Sequence, residues 1–496
     1  MRLRDVVVII LDDLRPELPA YGCNHTTAPA MTKLAEESVV FRSAYAQQAL
    51  CAPSRNSFLS GRSPDQTKAW QFIDHFREVG PDWTTLPGAF KRNGYDAVGA
   101  GKVFHENLPP YWDMPRSWDD RMNNTSWEEW LYPSEPTCPG NTTWCAVDSQ
   151  NASDFEDTQI SVRLGDLLKN ATRPYFLAAG FRKPHLQWRF PKEYLSSQDP
   201  GVSPLQTAPI DAPALSFHVP YSEFSRFADV DACGGAGAMG PATPYPVECQ
   251  IAWRRGYYSS VAFVDAQVGK LLDLISDDDR TIVALFGDHG WHLGDGAEWE
   301  KFTNFENSVR VPLMIRAKGL LEPATRSDPV ELVDLYPTLA ALAGIDISFV
   351  ANETAPLAGR DLFSSSSSTT VFARSQFPRC VGGENYNDNY YVNRSYPLWY
   401  LNDCNDVPRE LFTHMGYSIR NETWRFTAWF EWDGDALAPR TQVAIELYNH
   451  TDDDGTCGTG AFDVETRNIA NAADPKLIRD LNASLCALFD DVCSTS

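Results

Sequence analysis

At 496 residues and 43% hydrophobic side chains, the chain has room for one large α/β domain with an appendage, or for two to four average domains. A formal net charge of −24 excludes a generic nucleic-acid or anionic-membrane binder, which needs a basic face. No apolar run approaches about 18 residues, so no membrane insertion is expected, and any polyanionic substrate must meet a locally basic pocket.

In chain order, the run VVVIIL at residues 6–11 is continuous and mostly β-branched, the pattern of a strand buried on both faces, and it ends at Asp12-Asp13. Segments 95–99 and 175–179 read as further core strands. Residues from about 195 to 250 are rich in Pro, Gly and Ser and read as a long surface excursion. Segment 261–275 then places Val264, Val268, Leu271, Leu272 and Ile275 at helical spacing. It feeds TIVALF at 281–286, a second buried strand, which ends at Gly287-Asp288-His289-Gly290. A helix leading into a buried strand predicts βαβ units and a mostly parallel sheet. Segment 311–315 reads as another strand and 332–343 as an amphipathic helix. The serine run at 364–368, followed by two threonines, is low-complexity and marks the expected boundary between domains 1–363 and 364–496. Beyond it, 417–419, 424–432 and 443–448 alternate like strands of a small antiparallel sheet, closed by a helix over 475–488.

Eleven cysteines leave ten for pairing if Cys51 is set aside. Cys138 with Cys145, Cys233 with Cys249, and Cys380 with Cys404 are near enough to close local loops, although spacing alone does not fix connectivity. With eleven N-x-S/T sequons, this cysteine usage points to the secretory pathway, in a lysosome-like organelle or outside the cell. The apolar run after Met1 is too short for a signal peptide, so a leader is expected to be missing from this sequence.

Ligands of open α/β sheets bind beyond the carboxyl ends of the strands, where Asp12, Asp13, Asp288 and His289 would gather. Isolated, Asp12 would read as a helix cap and His289 as a core histidine. Three apposed carboxylates instead repel one another unless a cation neutralises them, and oxygen-dominated ligation favours Ca²⁺, or Mg²⁺, over zinc. Cys51-Ala-Pro-Ser-Arg55 lies between the two acid motifs. If a helix starts at Pro53, Cys51 and Arg55 face the same way one turn apart.

The C-x-P-S-R motif and its continuation to Arg62 resemble the signature of the sulfatase family. Blocks LDDLRPEL from Leu11, GKVFH from Gly101, KPH from Lys183, DHGW from Asp288 and MGYSIR from Met415 are similar to iduronate 2-sulfatases in particular. The resemblance implies an alkaline-phosphatase-like α/β sandwich with a central, mostly parallel sheet, plus a smaller C-terminal α+β subdomain carrying an antiparallel sheet. It also implies that Cys51 is converted to formylglycine by a formylglycine-generating enzyme, and that Asp12, Asp13, Asp288, His289 and residue 51 hold the cation. Arg55 and Lys102 would compensate sulfate charge, His105 would assist the formylglycine hydrate, and His185 would protonate the leaving oxygen. Lys102, His185, Trp291 and Lys301 would contact sulfate and sugar. The implied substrate is a sulfated oligosaccharide or polysaccharide such as a glycosaminoglycan, cleaved at a uronic acid 2-O-sulfate. The segment GDGAE from Gly294 lacks the family's usual histidine, and His292 adds one.

Three other readings remain. A phosphoesterase or phosphonate hydrolase would share the strand-end acids but normally use Ser or Thr as nucleophile. A carbohydrate-binding glycoprotein that had lost activity should show damage at Cys51, Arg55, Lys102, His105, Asp288 or Lys301, and none is damaged. A secreted thiol protein using Cys51 would need its thiolate to form beside acids that oppose it.

Overall fold

The computed structural model describes residues 3–119, 137–149, 151, 154–171, 174–196, 199–218, 223–235, 244–275, 279–364, 371–380, 404–457 and 464–489. Its centre is an eight-stranded sheet of β1 (Asp5–Leu11), β2 (Val39–Tyr45), β3 (Asp96–Gly101), β4 (Tyr175–Phe181), β5 (Thr281–Gly287), β6 (Arg310–Ala317), β7 (Ala324–Arg326) and β8 (Val330–Glu331). The order is β7-β2-β6-β5-β1-β4-β3, with β8 also on β2, and only β6 runs against the rest. Every residue of β1 and β5 is buried, so both faces of the sheet are covered. Each Val or Ile sealed there contributes roughly 1.5–3 kcal/mol.

Two helical groups supply that cover. Helices α1 (Pro29–Glu36), α4 (Glu156–Asn170) and α5 (Val247–Leu274) pack together, as do α2 (Cys51–Ser60), α3 (Leu86–Arg92) and α6 (Leu335–Ala343). The helix expected over 261–275 begins much earlier, at Val247. Strand β2 was not anticipated: Arg42 and Ser43 break the apolar run, and only pairing with β6 makes the segment a core strand.

A four-stranded antiparallel sheet follows, of β9 (Ala373–Arg379), β10 (His414–Arg420), β11 (Trp424–Asp433) and β12 (Ala438–Asn449), with α7 (Pro475–Leu488) packed on it. The first of these strands carries Arg374, Gln376, Pro378 and Arg379 and gave no strand signal. Buried ion pairs join the two sheets. Glu306 meets Arg425, Arg420 and Arg310, while Glu465 pairs with Arg425 and His450.

The three local disulfides form as spacing suggested, Cys138–Cys145, Cys233–Cys249 and Cys380–Cys404. A fourth, Cys23–Cys457, spans 434 residues and had no signature in the sequence. Cys51 is the free, buried cysteine among the described residues.

Candidate active site

Strands β1 and β5 end in register, Leu11 beside Gly287, and so deliver Asp12-Asp13 and Asp288-His289 to one point on the carboxyl edge. Gly287 permits this approach, since a Cβ there would lie 2.4 Å from the Leu14 carbonyl oxygen. Asp13 turns the chain through a left-handed φ of 62°, which only local contacts sustain. The Tyr257 hydroxyl donates to its carbonyl at 2.8 Å, and Asp288 Oδ1 accepts from its N–H at 3.1 Å.

Helix α2 starts at Cys51, two residues before the expected Pro53. Pro53 still fits, because first-turn N–H groups need no helical partner. Arg55, one turn on, donates to Asp288 Oδ2 at 2.9 Å, to Asp12 Oδ1 at 3.1 Å, and to the carbonyls of Lys102 and Val103. Its guanidinium is thus a clamp that fixes two carboxylates. Gly180 on β4 leaves room for the Lys102 backbone, whose carbonyl would lie 2.2 Å from a Cβ there.

Cys51 Sγ lies 3.2 Å from His289 Nε2, 3.4 Å from Lys301 Nζ and 3.5 Å from Asp12 Oδ1. Lys102 Nζ holds Asp12 at 2.6 Å and Lys301 Nζ holds Asp13 at 2.9 Å. His289 Nδ1 donates to the Gly290 carbonyl at 3.0 Å, which leaves the Nε2 lone pair facing the acids and the Cys51 thiol. Ligand atoms of Asp12, Asp13, Cys51 and His289 all lie within 4.8 Å of one another. Asp288 stands beside them, its Oδ2 3.5 Å from His289 Nε2.

The two adjacent acids are driven in opposite directions. Burial and the neighbouring Asp12 push Asp13 well above the usual carboxylate range, although Lys301 opposes them. Burial would raise Asp12 too, but Lys102, His185 and Arg55 outweigh it and hold it well below. Asp13 Oδ2 is buried with no hydrogen-bond partner. An orphaned oxygen, an imidazole lone pair turned toward the acids and a carboxylate driven toward its neutral form fit a divalent cation at this point. Burial and Asp12 also raise the Cys51 thiol well above its ordinary value, which disfavours the thiolate that a free-thiol role needs.

The other expected residues fall around this core. His105 stacks on Phe72 at 4.6 Å, its Nδ1 buried and unpaired; burial and the field of Lys102 hold it neutral, well below its ordinary value. His185 is set by a turn whose N–H groups at Arg182 and Lys183 bond Asp157 at 2.7 and 2.9 Å. Its Nδ1 meets the Leu186 carbonyl at 2.7 Å, which turns Nε2 toward Asp13 at 4.0 Å. Trp291 is fully buried beneath Lys301, whose ammonium sits 5.3 Å over its ring. His292 is buried against Thr303 and bonds its hydroxyl at 3.0 Å.

One residue of this site gave no sequence signal. Glu223 comes from the 195–250 excursion and lies 3.4 Å from His185 Nε2 and 3.9 Å from Lys301 Nζ. A single acid in an irregular segment has no periodicity to betray it.

A sulfatase family model matches residues 4–345. The chain belongs to the sulfatase family. This sulfatase is 32% identical to human iduronate 2-sulfatase over 508 residues, covering 90% of this chain and 88% of that one. The mouse iduronate 2-sulfatase matches equally, over 512 residues. Among solved structures, the phosphonate monoester hydrolase of Silicibacter pomeroyi aligns with a TM-score of 0.68 at 19% identity, covering 99% of this chain and 96% of that one. A 2-O glycosaminoglycan sulfatase aligns at 0.61 and 19%, covering 98% and 91%. These structural likenesses establish the alkaline-phosphatase-like sulfatase fold. The sulfatase is thus a sulfuric ester hydrolase, similar to iduronate 2-sulfatase.

Proposed function

We propose that this sulfatase removes the 2-O-sulfate of a uronic acid in a sulfated glycosaminoglycan or similar polysaccharide, using formylglycine at position 51. The observation that carries the reading is residue 51 at the head of α2, with Asp12, His289 and Lys301 all within 3.5 Å of its sulfur. The thiol sulfur stands where the formylglycine hydrate oxygen would lie. Asp12, Asp13, Asp288, His289 and residue 51 would hold Ca²⁺, or Mg²⁺. Bound there, the ion would supply positive charge that favours the ionised hydroxyl and compensates the sulfuryl oxygens.

Lys102 and Lys301 are held by Asp12 and Asp13, so their ammonium groups are aimed before substrate arrives. Attack forms a bond from the residue-51 oxygen to sulfur as the ester S–O bond breaks, and the leaving oxygen needs a proton. His185 Nε2 faces the pocket and is placed to give it. Burial holds this imidazole down to about 3, while Glu223 pulls it up. An arriving sulfate ester adds negative charge beside it and raises its hold on a proton. His105, neutral and with a bare nitrogen, is suited to take the proton when the sulfo-enzyme breaks down.

The uronate assignment is supported by the 32% identity to iduronate 2-sulfatase. The four disulfides among the described residues support a secretory location, lysosome-like or extracellular. Mass spectrometry across residue 51, with sulfate release from 2-O-sulfated uronates and 6-O-sulfated glucosamines in parallel, tests the reading. Formylglycine with preference for the uronate is expected. Equal turnover of both sugars would overturn the substrate assignment, and an unmodified cysteine in active protein would overturn the nucleophile.

A further inference from the structure

The pocket contains a carboxylate that makes and breaks no bond in sulfate transfer. Glu223 is placed with care. Its own N–H and that of Phe224 donate to Glu300 Oε1 at 2.8 and 2.6 Å, and Glu300 Oε2 is bonded by His218 at 2.9 Å. Phe224 is wedged between Trp299 at 5.2 Å and Trp253 at 4.8 Å. The side chain is 21% exposed, yet Oε2 is buried without a hydrogen-bond partner. Burial would raise Glu223, but Lys301 and His185 outweigh it and keep the carboxylate ionised. A fixed negative charge therefore stands beside Lys301, one of the groups that receive an anion.

Its effect on the charge balance is simple. Among the side chains Arg55, Lys102 and Lys301 balance Asp12, Asp13 and Asp288, so with a divalent cation bound the pocket would carry two positive charges without Glu223 and one with it. A sulfate monoester has one negative charge at any working pH, whereas a phosphate monoester gains a second near about pH 6. The two esters match in shape, so charge is what separates them.

We propose that Glu223 is a specificity-determining residue that sets the pocket for singly charged sulfate esters and against doubly charged phosphate esters. The inference rests on sulfate ester hydrolysis and is independent of which sugar carries the ester. A unit charge about 6 Å away at an effective dielectric of about 20 alters relative affinity by roughly tenfold to a hundredfold.

The test uses cation-loaded protein carrying Cys51→Ala, which binds without turnover, and compares phenyl sulfate with phenyl phosphate by calorimetry. At about pH 7.5, adding Glu223→Gln should raise phosphate affinity relative to sulfate by roughly tenfold or more, whereas Glu223→Asp, which keeps the charge, should leave the ratio near the parent value. A ratio that moves less than about twofold in Glu223→Gln, with both ligands bound, overturns the proposal. Should that variant not fold, Glu223→Ser decides in its place: the same relative gain for phosphate is expected, and a ratio within about twofold of the parent value overturns the proposal. Failure of phenyl sulfate to bind the parent would instead sink the sulfate ester reading, and this inference with it.

Discussion

Two buried clusters among the described residues gather carboxylates and imidazole at one point, and they meet the cost of burial differently. Glu306, His450 and Asp453 have ligand atoms within 4.8 Å of one another, as do Asp12, Asp13, Cys51 and His289. In the first cluster guanidinium groups already occupy the centre. Arg425, Arg420 and Arg310 close around Glu306 and, against its burial, hold it well below the usual carboxylate range. In the second, Asp13 is driven upward and its Oδ2 has no partner. Buried charge by itself does not mark a site; buried acids that remain undercompensated do.

The comparison can be broken at several points. Cys51→Ala should cut sulfate release by about 10³-fold or more while the circular dichroism spectrum stays that of the folded parent. Retained turnover would show that residue 51 does not attack. Stripping divalent cations should cost at least about a hundredfold in activity and lower the melting temperature, with Ca²⁺ restoring both. Full activity in chelator would make the strand-end cluster another self-compensated one.

At the interface the expectation inverts. Glu306→Gln leaves arginines buried without their counter-ion and should cost about 3–5 kcal/mol in denaturant unfolding. The turnover number of the folded fraction should stay within about twofold, and a larger loss would mean the two clusters are coupled.

Asp265 sharpens the contrast as a third case, a buried acid served only by the N–H groups of Met31 and Ala30 at 2.8 and 3.0 Å. Burial raises it to about 6 against those two donors. Its folded value exceeds the unfolded one, so the folded chain binds the proton more tightly. The associated stability, about 2–3 kcal/mol, is complete below about pH 4 and lost as pH rises through about 6. Asp265→Asn should flatten that part of the stability profile, and an unaltered slope would show that Asp265 does not titrate there.

How much of this was legible beforehand follows from the kind of signal each element carries. Strands β1 and β5 were legible because burial on both faces demands unbroken apolar runs, and their terminal acids located the site. Strand β2 was hidden by polar residues at its centre, and β9 by its arginines and proline. Those segments become strands through partners far away in sequence. Glu223 was hidden for the same reason: its position is set by Glu300, His218 and a seat among tryptophans. Local disulfides follow from spacing, whereas a 434-residue closure does not.

That long closure has a topological result. Cys23 and Cys457 make nearly the whole chain a covalent ring, with every strand of both sheets except β1 strung on it. A protease that cuts any one loop between them opens the ring and releases nothing. The nicked molecule would keep its full mass until reduced, and would separate into pieces only when that bond, and any local bridge spanning the cut, is broken.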